Sequence, residues 1–259
     1  MDIGLITNFL SEYVWLYLWQ ISTSFINIIA PTSGSMFMNP ITALFVGLPR
    51  AIGMGAFIFF LTGIHRVFLF RKEILSDKKN VEILKLFVPL GAVGAFLGGL
   101  FVSFVPVRLL AWVIVVTSVY FIVQILRGIY RGQNAVSGMY TKTGIVSVAV
   151  LTGFFQGGGL PGSDMRNNYL RTILQEVSVR AVGSVAGLVA FFVSGMVILF
   201  HHHLFVRDLV FITTVTPFLI ISQTYGKKVL DAMQDNHAKL LSAAFSIVGI
   251  TLLANKYLF

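Results

Sequence analysis

The sequence predicts an all-α polytopic membrane protein made of two inverted repeats, each a re-entrant helical hairpin followed by three transmembrane helices. Three observations carry that expectation: the apolar composition, an internal duplication, and the placement of Lys and Arg. Hydrophobic residues make up 56% of the chain and charged residues 11%, with mean hydropathy +0.86. A soluble domain carries about 25% charged residues, and its core cannot absorb this much apolar surface. Stretches at 84–104, 107–126, 180–200 and 237–255 reach the length of about 20 residues that a helix needs to cross hydrocarbon. Spans and short loops use nearly the whole chain, so a single membrane domain, 1–259, is expected.

No Lys or Arg precedes Arg50, whereas a cleaved signal peptide opens on a basic segment; the N-terminus is therefore expected to belong to the mature protein. The absence of cysteine excludes disulfides, thiolate metal sites and cysteine nucleophiles. The net charge of +9 fits the Lys and Arg enrichment of cytoplasmic loops, and no aromatic-plus-basic nucleic-acid module is visible. The bilayer, and not nucleic acid, is the expected partner of that charge.

The duplication defines repeat one as 1–130 and repeat two as 143–259. Arg50-Ala51-Ile52-Gly53 returns as Arg180-Ala181-Val182-Gly183, each opening an apolar helix that later carries a small pair, Thr62-Gly63 or Ser194-Gly195. Pro89 and Gly98 return as Pro217 and Gly226 with the same spacing, and Leu109-Leu110 returns as Leu240-Leu241. Each half begins with two short apolar arms around a small-residue turn, Ala30 to Ser35 and Gly157 to Ser163. Chance matches of Gly and Leu are common singly. Ordered agreement of Arg, Pro, Gly and the turn is not, and such duplication is the usual signature of a secondary transporter.

Basic residues orient the segments. Arg66, Arg71, Lys72, Lys78, Lys79 and Lys85 surround one connection, Arg127, Arg131 and Lys142 the central one, and Lys227, Lys228 and Lys239 the last. These three are expected in the cytoplasm. The connections near 106 and 205 carry only Arg108 and Arg207 and are expected outside, as are both termini. An odd number of crossings must then separate the central loop from residue 205. Arms of about 15 residues barely cross the core, so 143–177 reads as a hairpin entering from the cytoplasm and 14–48 as one entering from outside. Two full crossings per hairpin, giving parallel halves, is the competing topology.

Non-helical backbone at membrane depth survives only where protein or a watery cavity satisfies it, so the turns mark a cavity expected near mid-membrane. The arm after each turn starts with its positive helix end there, a ready anion site. Ser33, Ser35 and Ser163 add hydroxyl donors, while Gly34, Gly158, Gly159 and Gly162 let backbone approach a ligand. The expected ligand is small and negative. Gly94/Gly98 and Gly183/Gly187, at GxxxG spacing, are read instead as helix-packing glycines.

The glycine-bearing turn in both halves, the two Arg-Ala-Ile/Val-Gly helix openings and the paired Pro and Gly positions resemble the TauE/SafE family of sulfite and organosulfonate exporters, over almost the full length. The resemblance implies export of sulfite or of a small sulfonate such as sulfoacetate across the cell inner membrane, with no cofactor. An anion channel, or a transporter of carboxylates or other oxyanions on the same architecture, is the alternative. A homodimer is left open.

Ionisable residues at membrane depth are functional candidates, which singles out Asp164 and Arg166 beside the second turn. Asp164 is equally suited to capping the following helix, and Arg166 to neutralising Asp164 or contacting the anion. Gln20, Ser24, Asn27 and Gln156 are cavity-lining candidates; hydrogen bonding between helices is the commoner role for such residues. Arg50 stands at a helix N-terminus, where the dipole disfavours a cation, and needs an anionic partner. Consecutive His201, His202 and His203 point in different directions on a helix and read as an interfacial helix end, so no metal site is expected. No Ser/His or paired-Asp arrangement suited to catalysis stands at membrane depth, which argues against an enzyme.

Overall fold

The computed structural model describes residues 14–26, 35–131, 142–174, 176–232 and 235–259, all of whose regular structure is helical. In chain order the helices are α1 (14–26), α2 (Ser35–Val46), α3 (Leu48–Leu69), α4 (Arg71–Ser76), α5 (Lys78–Phe104), α6 (Val107–Arg131), α7 (Lys142–Gly157), α8 (Gly162–Arg171), α9 (Glu176–Phe200), α10 (Val206–Ala232) and α11 (Asp235–Tyr257). Among the described residues five helices are long and apolar enough to cross a membrane, in α3, α5, α6, α9 and α10. The apolar parts of α7 and α11 are shorter, Thr143–Gly157 and Ala243–Tyr257. The chain is an all-α polytopic membrane protein.

Local chemistry sets the helix boundaries. Gly47, at φ 86, turns the chain between α2 and α3, and a proline in the first turn of α3 needs no N–H there. Asp77 caps α5, its carboxylate accepting the Lys79 N–H at 2.9 Å. Pro89 and Pro217 sit inside α5 and α10. α9 ends at Phe200, and His202 follows in the left-handed region at φ 61. His201 packs edge-on against Phe104 and His203 lies 3.4 Å from the Ser103 carbonyl, as suits a helix end.

Packing couples the first part of the chain to the second. α5 and α9 run side by side in the same direction: Asn80 donates to Ser178 at one end, and Gly99 meets Val197 near the other. α3 and α10 also start together, where Arg50 Nε donates to Asp208 at 2.8 Å and Nη2 at 2.5 Å. Asp208 is fully buried, and the pair supplies the carboxylate that Arg50 needs. α3 and α9 run antiparallel through Phe59 on Phe191 and Phe60 on Phe192, each with centroids 4.9 Å apart. α6 and α11 are antiparallel too, with Arg108 near the start of one donating to the Leu258 carbonyl at the end of the other. One apolar core joins residues of α1, α2, α3, α5, α6, α9, α10 and α11, and a second joins α5, α7, α8 and α9.

The α7–α8 hairpin is positioned by glycine. A Cβ on Gly94 would fall 2.0 Å from the Val150 carbonyl oxygen, one on Gly98 2.2 Å from that of Phe154, and one on Gly153 2.1 Å from that of Gly91. Only glycine permits such backbone contact between α5 and α7, as expected for Gly94 and Gly98. The second glycine pair departs from that expectation. Gly183 and Gly187 of α9 face the guanidinium of Arg166 and not the backbone of another helix. Near the start of α7, Ile145 shares an apolar cluster with Ile83 of α5, the turn lies beside Gly98, and just past the end of α8 the Ile173 carbonyl accepts from Lys79 Nζ at 2.8 Å. Both arms thus open toward the same end of α5.

Candidate functional site around the α7–α8 turn

α7 ends in a Schellman arrangement. The Leu160 N–H reaches the Phe155 carbonyl at 2.7 Å and the Gly159 N–H the Gln156 carbonyl at 3.2 Å, with Gly159 in the left-handed region at φ 73. The Gly158 N–H donates to Phe154 and that of Gly162 to Leu160, both at 2.8 Å. These four N–H groups are therefore engaged inside the turn. The glycines also face protein: added Cβ atoms would lie 2.8 Å from Ile52 at Gly159, 2.4 Å from the Thr152 carbonyl at Gly162 and 3.2 Å from the Phe154 carbonyl at Gly158. Their smallness lets the turn wedge between α3, α5 and α7. The turn stands level with Gly98, six residues short of the end of α5, or about 9 Å along the axis.

Pro161 is the N-cap of α8, and Asp164 sits in its first turn. This corrects the capping role weighed for Asp164: the chain turns into helix three residues earlier than a cap at Asp164 requires. Its carboxylate, buried with the residue 6% exposed, still favours the positive helix end. Ser163 accepts a hydrogen bond from Gln156 Nε2 at 2.9 Å, and Gln156 Oε1 accepts from Arg166 Nη1 at 3.2 Å. Arg166 Nε also reaches Asn167 Oδ1 at 3.4 Å. The Arg166 residue is only 5% exposed. It lies against α9, where Cβ atoms on Gly183 and Gly187 would each stand 3.3 Å from its nitrogens. Ser163, Asp164, Arg166 and Gln156 thus form one polar cluster walled by two glycines, in a region where a charge costs at least a few kcal/mol to bury.

Ser33, Gly34 and Asn27 lie outside the described residues, and Ser35 is the first residue of α2. Gln20 donates to Thr42 at 2.9 Å, tying α1 to α2, and Ser24 donates to the Leu219 carbonyl of α10 at 3.4 Å. Both serve the interhelical role weighed for them. Asn39 is a site neighbour without a place among the candidates, yet it is buried on α2 with its side chain against Gly55, and the half-buried Asn167 of α8 lies in the same way against Gly183. The sequence held a signal for it. Asn39 follows Gly34 by five residues, as Asn167 follows Gly162. Among the described residues no three His, Asp or Glu side chains gather as metal ligands.

A family model described as Sulfite exporter TauE/SafE matches residues 16–253. The chain belongs to the TauE/SafE family. No curated protein and no solved structure gives a significant match. TauE/SafE membership makes the chain a membrane transport protein and not an enzyme, consistent with the sequence resemblance drawn from the two turns. A secondary transporter of a small anion is the function class that follows.

Proposed function

We propose that the protein exports sulfite or an organosulfonate such as sulfoacetate, through a site beside the α7–α8 turn. One observation carries the reading: Arg166 is a buried cation one turn into α8, held in place by Gln156 and walled by the Gly183 and Gly187 backbone. Arg166 and Asp164 nearly cancel, so the dipole of α8 adds to the attraction. Ser163 supplies a hydroxyl, and Gly158, Gly159 and Gly162 shape the turn that aims these groups. The sequence match between the halves assigns Ser33, Gly34 and Ser35 to the same substrate.

In this reading the halves, 1–130 and 143–259, are inverted repeats. α7 and α8 are a re-entrant hairpin opening to the cytoplasm, both termini lie outside, and the chain resides in the inner membrane, as a homodimer or alone. Cross-half pairs α3 with α9 and α6 with α11 are the surfaces on which one half rocks against the other. The crosswise pairing of α5 with α9 and α10 with α3 supports the repeat. A calorimetric binding panel of sulfite, sulfoacetate, taurine, sulfate and carboxylates tests the reading. Tight binding of a cation or a neutral analogue, with none for the anions, defeats it.

A further inference from the structure

α3 brings a second arginine, Arg66, to the face of α9 on which Arg166 of α8 lies. α3 passes α9 antiparallel, with Phe57 against Gly195, Phe59 and Phe60 on Phe191 and Phe192, and Gly63 against Leu188. Three residues further along that register, Arg66 comes level with Val185. That position lies between Gly183 and Gly187, the two glycines that face Arg166. Arg66 is near enough to Arg166 for the two like charges to repel, while Asp164 attracts the Arg166 guanidinium.

Arg66 is half-buried and differs from Arg50 and Arg166 in what surrounds it. Arg50 has Asp208, and Arg166 has Gln156, Asn167 and Asp164. Arg66 Nε and Nη2 are shielded from solvent and have no hydrogen-bond acceptor among the described residues. The Nε2 of adjacent His65 is in the same condition. A shielded N–H of a charged group left without an acceptor is far costlier than an unmade surface hydrogen bond. Repulsion from Arg166 adds to that cost, and Asp164 offsets only one of the two positive charges.

An oxyanion between the guanidinium groups removes all three penalties at once. It accepts from the planar fork of arginine in a way that ammonium or amide donors do not match. We propose that Arg66 is a second anion-binding residue, and that one small oxyanion bridges Arg66 and Arg166 across the Gly183–Gly187 face of α9. The proposal rests on the reading of Arg166 as a substrate ligand. It also narrows the substrate class. Serving two forks takes at least three oxygens on one centre, as in sulfite or a sulfonate head, whereas the two oxygens of a carboxylate are used up by one fork. Arg66 stands three residues before the end of α3, on the side of the Lys- and Arg-rich α4 connection. An exported anion is met there on its way in from the cytoplasm.

The competing account is that Arg66 merely snorkels toward headgroups. Calorimetry on purified wild type, Arg66→Gln, Arg66→Lys and Arg166→Gln decides, with sulfite, methanesulfonate and acetate as probes. Arg66→Gln is expected to weaken sulfite and methanesulfonate by about tenfold or more, as loss of a shielded charge-assisted pair implies. Acetate should change by less than about threefold, because Arg166 alone can satisfy it. The preference for methanesulfonate over acetate should therefore collapse, which a purely structural role would not produce. Arg66→Lys keeps the charge but not the fork and should lie between; if Arg66→Gln does not fold, an unchanged preference in Arg66→Lys overturns the proposal. Wild-type affinities in Arg66→Gln, beside lost binding in Arg166→Gln, overturn it while leaving the Arg166 reading intact. Equal losses for acetate and methanesulfonate overturn the bridging geometry. No binding of any probe by wild type defeats the underlying reading itself.

Discussion

Replacing Arg166 by Gln removes a charge from a place where its partners cannot leave. Gln156 and Asn167 lose a donor, and Asp164 remains buried with the local side-chain charge changed by one unit. A unit charge about 5 Å from an anion, at an effective dielectric of about 20, is worth about 3 kcal/mol. That corresponds to about two orders of magnitude in Kd. Asp164→Asn shifts the charge the other way and should preserve or tighten anion binding. The double variant restores neutrality and should recover part of the loss, so the cycle gives a coupling of about 1 kcal/mol or more between two groups in one network. Isothermal calorimetry with sulfite and sulfoacetate on the four proteins measures each corner. Unchanged affinity in Arg166→Gln would refute the reasoning, because no anion could then lie near that guanidinium.

Other consequences are open to simpler assays. Asp208→Ala strands Arg50 beside a cavity and should cost about 3 kcal/mol, seen as a lower unfolding midpoint in detergent, while Arg50→Met with Asp208→Leu should restore most of it. Gly98→Ala forces a Cβ to within 2.2 Å of the Phe154 carbonyl and should destabilise by about 1–3 kcal/mol or prevent folding. Gly47→Ala meets no atom within 4 Å and should cost only the left-handed backbone penalty of about 1–2 kcal/mol. Single cysteines introduced at Ser76 and Ala135 should be labelled from the cytoplasm alone, and those at Phe205 and Phe259 from outside alone; labelling of Phe259 from the cytoplasm would contradict the inverted topology.

Helices were legible because hydropathy and length decide them, and the hairpin because two short arms flank a turn rich in Gly and Pro. The packing role of Gly94 and Gly98 was legible for the same reason: their spacing puts both on one helix face. Gly183 and Gly187 have that spacing too, yet they seat an arginine, because sequence spacing marks a narrow face and says nothing of what fills it. Arg50 announced its need for an anion through its position at a helix start, but Asp208 lies far along the chain and only the fold brings it near. The turn glycines were read as making room for a ligand. They make room for Ile52, Thr152 and Phe154, since a Schellman turn consumes the very N–H groups that a ligand would need. Arg66 was hidden by a rule that works on average, which assigns basic residues near a helix end to the cytoplasmic surface.

Flux through the purified protein in proteoliposomes tests the central claim most directly. Vesicles loaded with sulfite or sulfoacetate should release the anion in a saturable way, only in the presence of protein, and faster when a gradient of a second ion is imposed. Arg166→Gln should abolish that release. Release indifferent to every imposed ion gradient and without saturation would point to a channel, and no anion release at all from folded protein would contradict the account.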